Sequence, residues 1–263
     1  MGVMKIAVCG KGGSGKSTIV SLLAKGLRER GFEVLVVDSD ESNPGLHRML
    51  GLKDRPRPLL ELVGGKRNVF KAYSQGSKHR SVLTRDEIRI SDLPPEYVEE
   101  AEGVKLVCIG KILQSLEGCA CPMGALSREF LKRLRLSDGE AAVIDMEAGV
   151  EHFGRGVEEG VDFVLMVVEP SFDSIELAEK MKELASGMGK KAWAILNKTP
   201  SDEIKSKLEG MLRERGIDLI GSISYDQEIF LSSMEGKPLR AGRAMEEMRG
   251  IIDALLKEAA ACA

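Results

Sequence analysis

The sequence predicts an α/β fold, a doubly wound and mainly parallel sheet with helices on both faces. Short apolar runs alternate with amphipathic stretches over most of the chain, which is the pattern of buried strands joined by crossover helices. The first run, 5–9, leads into a glycine-rich loop, and apolar residues then recur at helical spacing. This order of strand, loop and helix opens the predicted fold.

The elements follow in order along the chain. Further buried strands are predicted at 34–37, 104–109, 141–144, 161–168, 192–196 and 217–223, and helices near 122–136, 173–187, 201–215 and 241–260. The locally basic segment 64–95 breaks the alternation. We interpret it as a solvated surface insertion within a single domain that spans 1–263. A docking surface for an acidic client protein is the alternative.

Composition and charge exclude several classes of protein. Of 263 residues, 43% are hydrophobic, and the formal net charge of −3 gives no support for a nucleic-acid surface. No apolar run approaches the roughly 20 residues of a membrane helix. A strand begins almost at once, which leaves no room for a signal peptide, and the five cysteines favour a reducing compartment. We expect a cytoplasmic protein without nucleic-acid or membrane partners.

The stretch 10–18 fits the phosphate-loop pattern G-x-x-x-x-G-K-[ST]. Its glycines let backbone amides face a polyphosphate, and the start of the helix adds partial positive charge. Lys16 is expected to reach the phosphates, and the Ser17 hydroxyl to ligate Mg²⁺. The predicted nucleotide-binding residues of the loop are Gly12, Gly13, Ser14, Gly15, Lys16, Ser17 and Thr18. A second lysine, Lys11, indicates a nucleotide that is shared between two subunits.

Aspartates follow two of the predicted strands. Asp38 and Asp40 come after the second strand, and Asp145 ends the strand 141–144. Carboxylates at the carboxyl ends of parallel strands, beside a phosphate loop, can hold Mg²⁺ and position the attacking water. A plain surface carboxylate is the competing interpretation, and it is stronger for Asp38 because Asp40 competes for the same role.

A base-reading residue is predicted at Asn197. The segment Asn197-Lys198-Thr199-Pro200 resembles the guanine signature Asn-Lys-x-Asp, but Pro200 stands in the position of the aspartate. Guanine would therefore lack its carboxylate acceptor, which favours adenine. The amide of Asn197 carries both donors and an acceptor for the adenine edge.

A pair of thiols is predicted as half of a metal site. Cys119 and Cys121 are two residues apart, and in an extended segment both sulfurs project to one side. Two thiolates from each subunit of a two-fold dimer would complete a tetrahedral S₄ site for zinc, and nickel(II) also accepts thiolates. An incidental thiol pair and a redox disulfide are the alternatives.

These motifs together resemble the deviant phosphate-loop ATPases, the group that contains the MinD, ParA and nitrogenase iron proteins. The resemblance rests on 11–18 and on Asp145-x-x-Ala148-Gly149-x-Glu151, and it spans 4 to about 236. Within the group, the cysteine pair and the segment 145–156 are most similar to the CooC-type nickel-insertion ATPases of carbon monoxide dehydrogenase maturation. The fold this implies is a phosphate-loop NTPase of the deviant Walker A type.

The resemblance also implies an activity and its residues. It implies a Mg-dependent ATPase, acting as a homodimer, that converts ATP and water to ADP and phosphate. The resemblance implies that the phosphate groups are bound by Lys16 in its own chain and by Lys11 across the dimer, and that Asp40 orients the attacking water. It implies that Mg²⁺ is held by Ser17, Asp38 and Asp145. It also implies that Asn197 reads adenine and that Ni²⁺ or Zn²⁺ is bound by Cys119 and Cys121.

Three functions are compatible with these residues. The first is delivery of nickel to carbon monoxide dehydrogenase or acetyl-CoA synthase. The second is an iron–sulfur electron carrier like the nitrogenase iron protein, although its paired cysteines lie far apart in sequence. The third is a positioning ATPase of the ParA or MinD kind, for which the basic insertion keeps non-specific DNA binding open.

Overall fold

The computed structural model describes residues 2–40, 43–74, 83–110, 121–150 and 156–262. The strands in these ranges are β1 Met4–Gly10, β2 Glu33–Asp38, β3 Glu99–Ala101, β4 Val104–Cys108, β5 Glu140–Asp145, β6 Phe163–Val168, β7 Lys191–Thr199 and β8 Leu219–Ser224. They form one sheet in the order β3-β4-β2-β5-β1-β6-β7-β8. The short edge strand β3 pairs antiparallel with β4, and the other pairs are parallel. The predicted fold class is confirmed.

Helices connect the strands. They are α1 Lys16–Glu29, α2 Leu46–Met49, α3 Leu59–Leu62, α4 Lys66–Ser74, α5 Cys121–Arg133, α6 Phe172–Gly187, α7 Asp202–Glu214, α8 Gln227–Glu235 and α9 Arg243–Cys262. The four long helices predicted between 122 and 260 are present as α5, α6, α7 and α9. The sequence pattern missed the short helices α2, α3 and α8, as well as α4. Among the helices described, none is long and apolar enough to cross a membrane.

Buried side chains lie on both faces of the sheet because residues alternate along each strand. On one face, Ile6 and Val8 of β1 pack with apolar residues of α1 and α9. On the other, Ala7 and Cys9 of the same strand pack with residues of α5, α6 and α7. The two faces of β1 are therefore both covered, which is why its sequence is a continuous apolar run rather than an alternating one.

The sheet order positions the loop after β1. The chain places β5, β2 and β4 on one side of β1, and β6, β7 and β8 on the other. The crevice at such a switch point, beyond the carboxyl ends of the strands, is where open α/β sheets bind ligands. The loop at 10–18 lies at this point.

The described part of the segment 64–95 contributes to the core. Val69 of α4 is fully buried, and Leu83, Ile88 and Ile90 are also buried in the cluster on the α5 face. A short parallel bridge joins Ile88 to Leu134, just after α5. The basic residues of this segment therefore stand on a framework that is anchored to the domain by apolar packing.

Candidate functional site

The phosphate loop has the backbone shape that its glycines predict. Gly13 and Gly15 adopt φ values of +81° and +94°, in the left-handed region that favours glycine. The loop closes on itself where the N–H of Ser14 donates to the carbonyl of Lys11 over 3.2 Å. No side chain caps the first turn of α1 at Gly15. The free N–H groups at the start of α1 are therefore available to an anion.

Lys16 places a cation inside the loop. The residue is 6% exposed, and its Nζ lies 3.4 Å from the carbonyl oxygen of Lys11. A carbonyl oxygen only partly offsets the desolvation of a buried ammonium group. A phosphate in the loop would offer Lys16 a full negative charge instead, so the loop is electrostatically suited to a polyphosphate.

The hydroxyl of Ser17 is held between two residues. It donates a hydrogen bond to Oδ2 of Asp145 over 2.6 Å and accepts one from Nδ2 of Asn43 over 2.5 Å. Asn43 is a site residue that the sequence analysis did not single out; its position in the turn after the Asp38–Asp40 segment was the available signal. The start of α1, the end of β5 and the turn after β2 thus converge on one hydroxyl.

Asp145 is completely buried, and this raises its pKa to about 7. Burial is the main cause, the nearby negative charge of Asp38 adds to it, and the hydrogen bond from Ser17 opposes it. Its second oxygen, Oδ1, has no hydrogen-bond partner among the described residues. A buried carboxylate oxygen without a partner, beside a hydroxyl, fits a hard divalent cation such as Mg²⁺.

Asp38 and Asp40 lie at the same edge of the sheet as Asp145. Asp38 is the register partner of Asp145 in the pairing of β2 with β5, and the two aspartates after β2 are 2% and 6% exposed. The thiol of Cys108, at the end of β4, donates to Oδ2 of Asp38 over 3.7 Å. The three predicted carboxylates therefore lie near one another at this edge of the sheet. They do not form a ready-made group of three metal ligands among the described residues, so the fit to Mg²⁺ rests on Ser17 and the Oδ1 atom of Asp145.

Lys11 points away from its own loop. Its Nζ lies 3.3 Å from Oδ2 of Asp173 and 3.8 Å from Oε1 of Glu169, at the start of α6. Glu169 also pairs with Lys198 over 3.5 Å, and Lys198 donates to the carbonyl of Gly13. The two acidic residues were not predicted from the sequence, although Glu169 directly follows β6, at the strand end where such residues are expected.

Asn197 braces the phosphate loop. It is 4% exposed, and its Nδ2 donates to the carbonyl of Ser14 over 2.8 Å. It also lines a cavity of about 250 Å³ with Gly15 and Thr18, whose other walls include Tyr225 and Phe230. Adenine recognition by Asn197 stays a prediction, and the aromatic walls of the cavity are features that the sequence analysis did not identify.

The chain shares its domain with a known family. A family model described as the CobQ/CobB/MinD/ParA nucleotide binding domain matches residues 5–239. The chain belongs to this family. Together with the loop geometry and the mainly parallel sheet, the match makes it a phosphate-loop ATPase of the MinD/ParA type.

Individual relatives extend over nearly the whole chain. An uncharacterized ATP-binding protein of Methanocaldococcus jannaschii is 42% identical over 255 residues, which cover 97% of this chain and 100% of the relative. The carbon monoxide dehydrogenase accessory protein CooC of Rhodospirillum rubrum is 34% identical over 236 residues, 89% of this chain and 88% of that protein. The structure of MinD from Pyrococcus horikoshii with Mg-ADP matches with a TM-score of 0.73 at 18% identity, over 100% and 99% of the two chains, and shows the shared fold.

The cysteine pair is only partly placed. Cys119 lies outside the described residues, as do residues 151–155 of the segment 145–156. Cys121 is the first residue of α5 and is followed by Pro122, a residue suited to a first helical turn. The prediction of an extended segment is therefore wrong at Cys121. Within the described residues, no group of three or more His, Cys, Asp or Glu side chains is arranged to hold a metal ion.

A larger cavity, of about 320 Å³, lies away from the phosphate loop. Its lining is mainly apolar and includes Leu59, Leu93 and Phe130, while Arg85 and Asp92 on its wall form an ion pair of 2.7 Å. None of its lining residues belongs to the phosphate loop or to the carboxylate cluster. We therefore assign the nucleotide chemistry to the site at the end of β1.

Proposed function

We propose that this chain is an ATP-hydrolysing homodimer that binds nickel(II), through Cys119 and Cys121 of each subunit, and delivers it to a carbon monoxide dehydrogenase or an acetyl-CoA synthase. The observation that carries the proposal is a phosphate-loop site in one chain with a C-x-C pair whose second cysteine is the first residue of α5. The 34% identity to CooC, which spans most of both chains, supports it.

The residues of the site supply the groups that phosphoryl transfer needs. Mg²⁺ would be held by Ser17, Asp38 and Asp145, and it would neutralise negative charge on the phosphate oxygens. Lys16 binds the phosphates from inside the loop. Asp40, buried at the same sheet edge, is the group that would orient the attacking water. Catalysis here is positioning plus electrostatic stabilisation, which fixed and buried groups provide.

The position of Lys11 supports a homodimer. Its side chain is 35% exposed, and its ammonium group pairs with Glu169, after β6, and with Asp173 of α6. A lysine placed this way can reach the nucleotide of a second chain, but only after it leaves Glu169 and Asp173. ATP would then favour a closed dimer, and thiolates from both chains would bind the nickel ion between them. Because both ligands favour one assembly, each raises the affinity for the other.

The metal stoichiometry tests the proposal. Purified protein is titrated with Ni²⁺, with and without a slowly hydrolysed ATP analogue, while its mass is followed by light scattering. We expect one ion per two chains and a shift to dimers. The double variant Cys119→Ser/Cys121→Ser is expected to lose the ion, whereas Cys262→Ser, which removes a thiol at the end of α9, keeps it. Unchanged Ni²⁺ binding in the double variant would contradict the proposed nickel site.

A positioning ATPase that binds DNA is the second candidate. Helix α4 favours it, because Arg67 and Lys71 are exposed there beside Phe70, whose side chain is 63% exposed. A basic helix can bind phosphates of the DNA backbone without reading sequence. Co-sedimentation with duplex DNA at physiological salt, with and without ATP, separates the candidates. ATP-dependent DNA binding that is lost in Arg67→Ala/Lys71→Ala would favour the positioning ATPase.

A further inference from the structure

The segment after β2 touches the nucleotide site directly. Asn43 donates to the hydroxyl of Ser17, and its own Oδ1 accepts the N–H of Gly45 over 2.8 Å. The N–H of Asn43 in turn donates to Oδ1 of Asp40 over 3.3 Å. A ligand that takes the Ser17 oxygen competes with Asn43 for the same position. Filling the site is therefore expected to displace the segment that carries Asn43.

The same segment is bonded to helix α5. The hydroxyls of Ser39 and Ser127 lie 2.5 Å apart, and the N–H of Ser39 donates to the carbonyl of Asp145 over 3.0 Å. Ser127 is only 3% exposed. A hydroxyl that is buried without a partner is destabilising, so Ser127 depends on this bond or must move to find another. The position of Ser39 thus constrains the position of α5.

Helix α5 is packed through buried side chains in both halves, with Met123 and Leu126 in the first, and hydrogen bonds from Lys5 also hold its end. Phe130 and Leu131 are fully buried, and the Nζ of Lys5 donates to the carbonyls of Leu131 and Leu134 over 3.0 and 2.6 Å. Ser127 is the middle residue of the helix, six residues after Cys121, or about 9 Å along the axis at 1.5 Å per residue. A change at Ser39 would therefore act on α5 at its middle, ahead of the end that Lys5 holds.

The strand before α5 is bonded to the same segment. The N–H of Ile109, directly after β4, donates to the carbonyl of Asp38 over 3.0 Å, next to the contact between Cys108 and Asp38. The chain on both sides of 111–120 is thus hydrogen-bonded to residues 38–39. These bonds connect the nucleotide site to the part of the chain that ends in the C-x-C pair.

We propose that Ser127 is the positioning residue that couples the nucleotide site to α5, through its hydrogen bond to Ser39. Occupancy of the phosphate loop shifts Asn43 together with Asp40 and Ser39, and the hydroxyl pair passes this shift to α5 at Ser127 and hence to Cys121. The proposal deepens the proposed function and rests on its nucleotide site. It adds how nucleotide binding regulates metal binding. Ser127 itself touches neither ligand.

Hydrogen exchange measured by mass spectrometry tests the coupling without using activity. Peptides from the first half of α5 are compared with and without a slowly hydrolysed ATP analogue. In the native protein we expect their exchange rate to change by about fivefold or more, the range of typical allosteric coupling. In Ser127→Ala we expect less than about a twofold change, while the analogue still binds. Ser127→Thr, which keeps the hydroxyl, should retain most of the native response.

Two further variants make the result decisive. Ser39→Ala removes the same hydrogen bond from the other side, and it serves where Ser127→Ala does not fold. Ser232→Ala is the matched control, because that buried hydroxyl on α8 bonds only within its helix region, to Glu228 and Arg240. It should leave the α5 response unchanged. A full α5 response in Ser127→Ala or Ser39→Ala, or none in native protein that binds the analogue, overturns the proposal.

Nickel binding supplies a second readout. The ratio of Ni²⁺ dissociation constants with and without the analogue should be about fivefold or more in the native protein and close to one in Ser127→Ala. The nickel affinity without nucleotide should be the same in both. If the native protein binds the analogue but no nickel, nickel delivery fails while the exchange experiment still decides the role of Ser127. Equal ratios in both proteins contradict that role.

Discussion

The hydroxyl of Ser17 lies 2.6 Å from Oδ2 of Asp145, although the two residues are 128 positions apart in the chain. Helix α1 begins next to the loop after β1, and β5 pairs directly with β1, so the sheet order brings the two side chains together. The hydrogen bond pairs Oδ2 of Asp145, whereas Oδ1 has no partner in the part of the chain that the structure describes. The relationship defines the place where a divalent cation fits.

The left-handed glycine at the start of α1 should not tolerate a side chain. Gly15 has a φ of +94°, and the Cβ added in Gly15→Ala would lie 2.3 Å from Nδ2 of Asn197. Strain and this clash should distort the loop, so we expect ATP binding to be lost and unfolding to be easier by about 1–3 kcal/mol. Calorimetric titration with ATP and urea denaturation measure the two effects.

Gly250→Ala is the matched control for that change. Gly250 is exposed in α9, with no heavy atom within 4 Å of an added Cβ. Alanine in a helix is more favourable than glycine by roughly 0.5–1 kcal/mol, so this variant should be slightly more stable and bind ATP normally. Loss of ATP binding in both variants would contradict the role given to Gly15.

Replacing each of the two loop lysines should affect ATP binding and ATP hydrolysis differently. Lys16 is buried in its own loop, so Lys16→Ala should abolish ATP binding. Lys11 is paired with Asp173 and Glu169, so Lys11→Ala should bind ATP almost normally but hydrolyse it about 100-fold more slowly, the typical effect of removing one group that stabilises the transition state. Binding of a fluorescent ATP analogue and phosphate release separate the two outcomes.

Mixing the two variants tests whether Lys11 acts across the dimer. In a mixed dimer, the Lys11→Ala chain keeps its own Lys16 and receives Lys11 from its partner. One of its two sites is then complete, and random pairing should restore about a quarter of the native rate. No recovery on mixing, with each variant shown to dimerise, would place the action of Lys11 within its own chain.

Asp145→Asn should stabilise the metal-free protein in a pH-dependent way. Because folding raises the pKa of Asp145 from 3.8 to about 7, the native state holds a proton that the unfolded state has lost between these values. Native stability from this residue therefore falls as pH rises from about 4 to about 7. Asparagine removes the free-energy cost of burying a charged carboxylate. The free energy of unfolding of the variant should therefore exceed that of the native protein by on the order of 2–4 kcal/mol at pH 8, and by progressively less toward pH 4. Urea denaturation across this range, without Mg²⁺, measures the gap; a constant gap would refute the assignment.

Asn197→Ala distinguishes loop bracing from base recognition. The variant loses the hydrogen bond to the carbonyl of Ser14, and ATP affinity should fall about tenfold. If Asn197 also reads adenine, the preference for ATP over GTP should shrink as well, because GTP loses only the bracing effect. Competition binding of both nucleotides measures this, with the exposed Asn68→Ala as the control. Equal losses for ATP and GTP would leave Asn197 with the bracing role alone.

Much of this site was predictable because its chemistry is local in sequence. The turn at 10–18 needs glycine at fixed places, and apolar strands end in carboxylates that the sheet must bring to one edge. An extended conformation was predicted at Cys121, but α5 begins there, since Pro122 is suited to a first helical turn. Short helices such as α2 and α8 were missed because four to nine residues carry little periodicity.

The sequence by itself determined the fold class, the phosphate loop and the strand-end aspartates, because each depends on residue types at short spacing. Only the tertiary structure decided which distant residues meet. It placed Asn43 on Ser17, paired Lys11 with Glu169, and bonded Ser39 to Ser127 across 88 positions. These contacts depend on the sheet order and on how helices pack against it, and no local pattern in the chain encodes them.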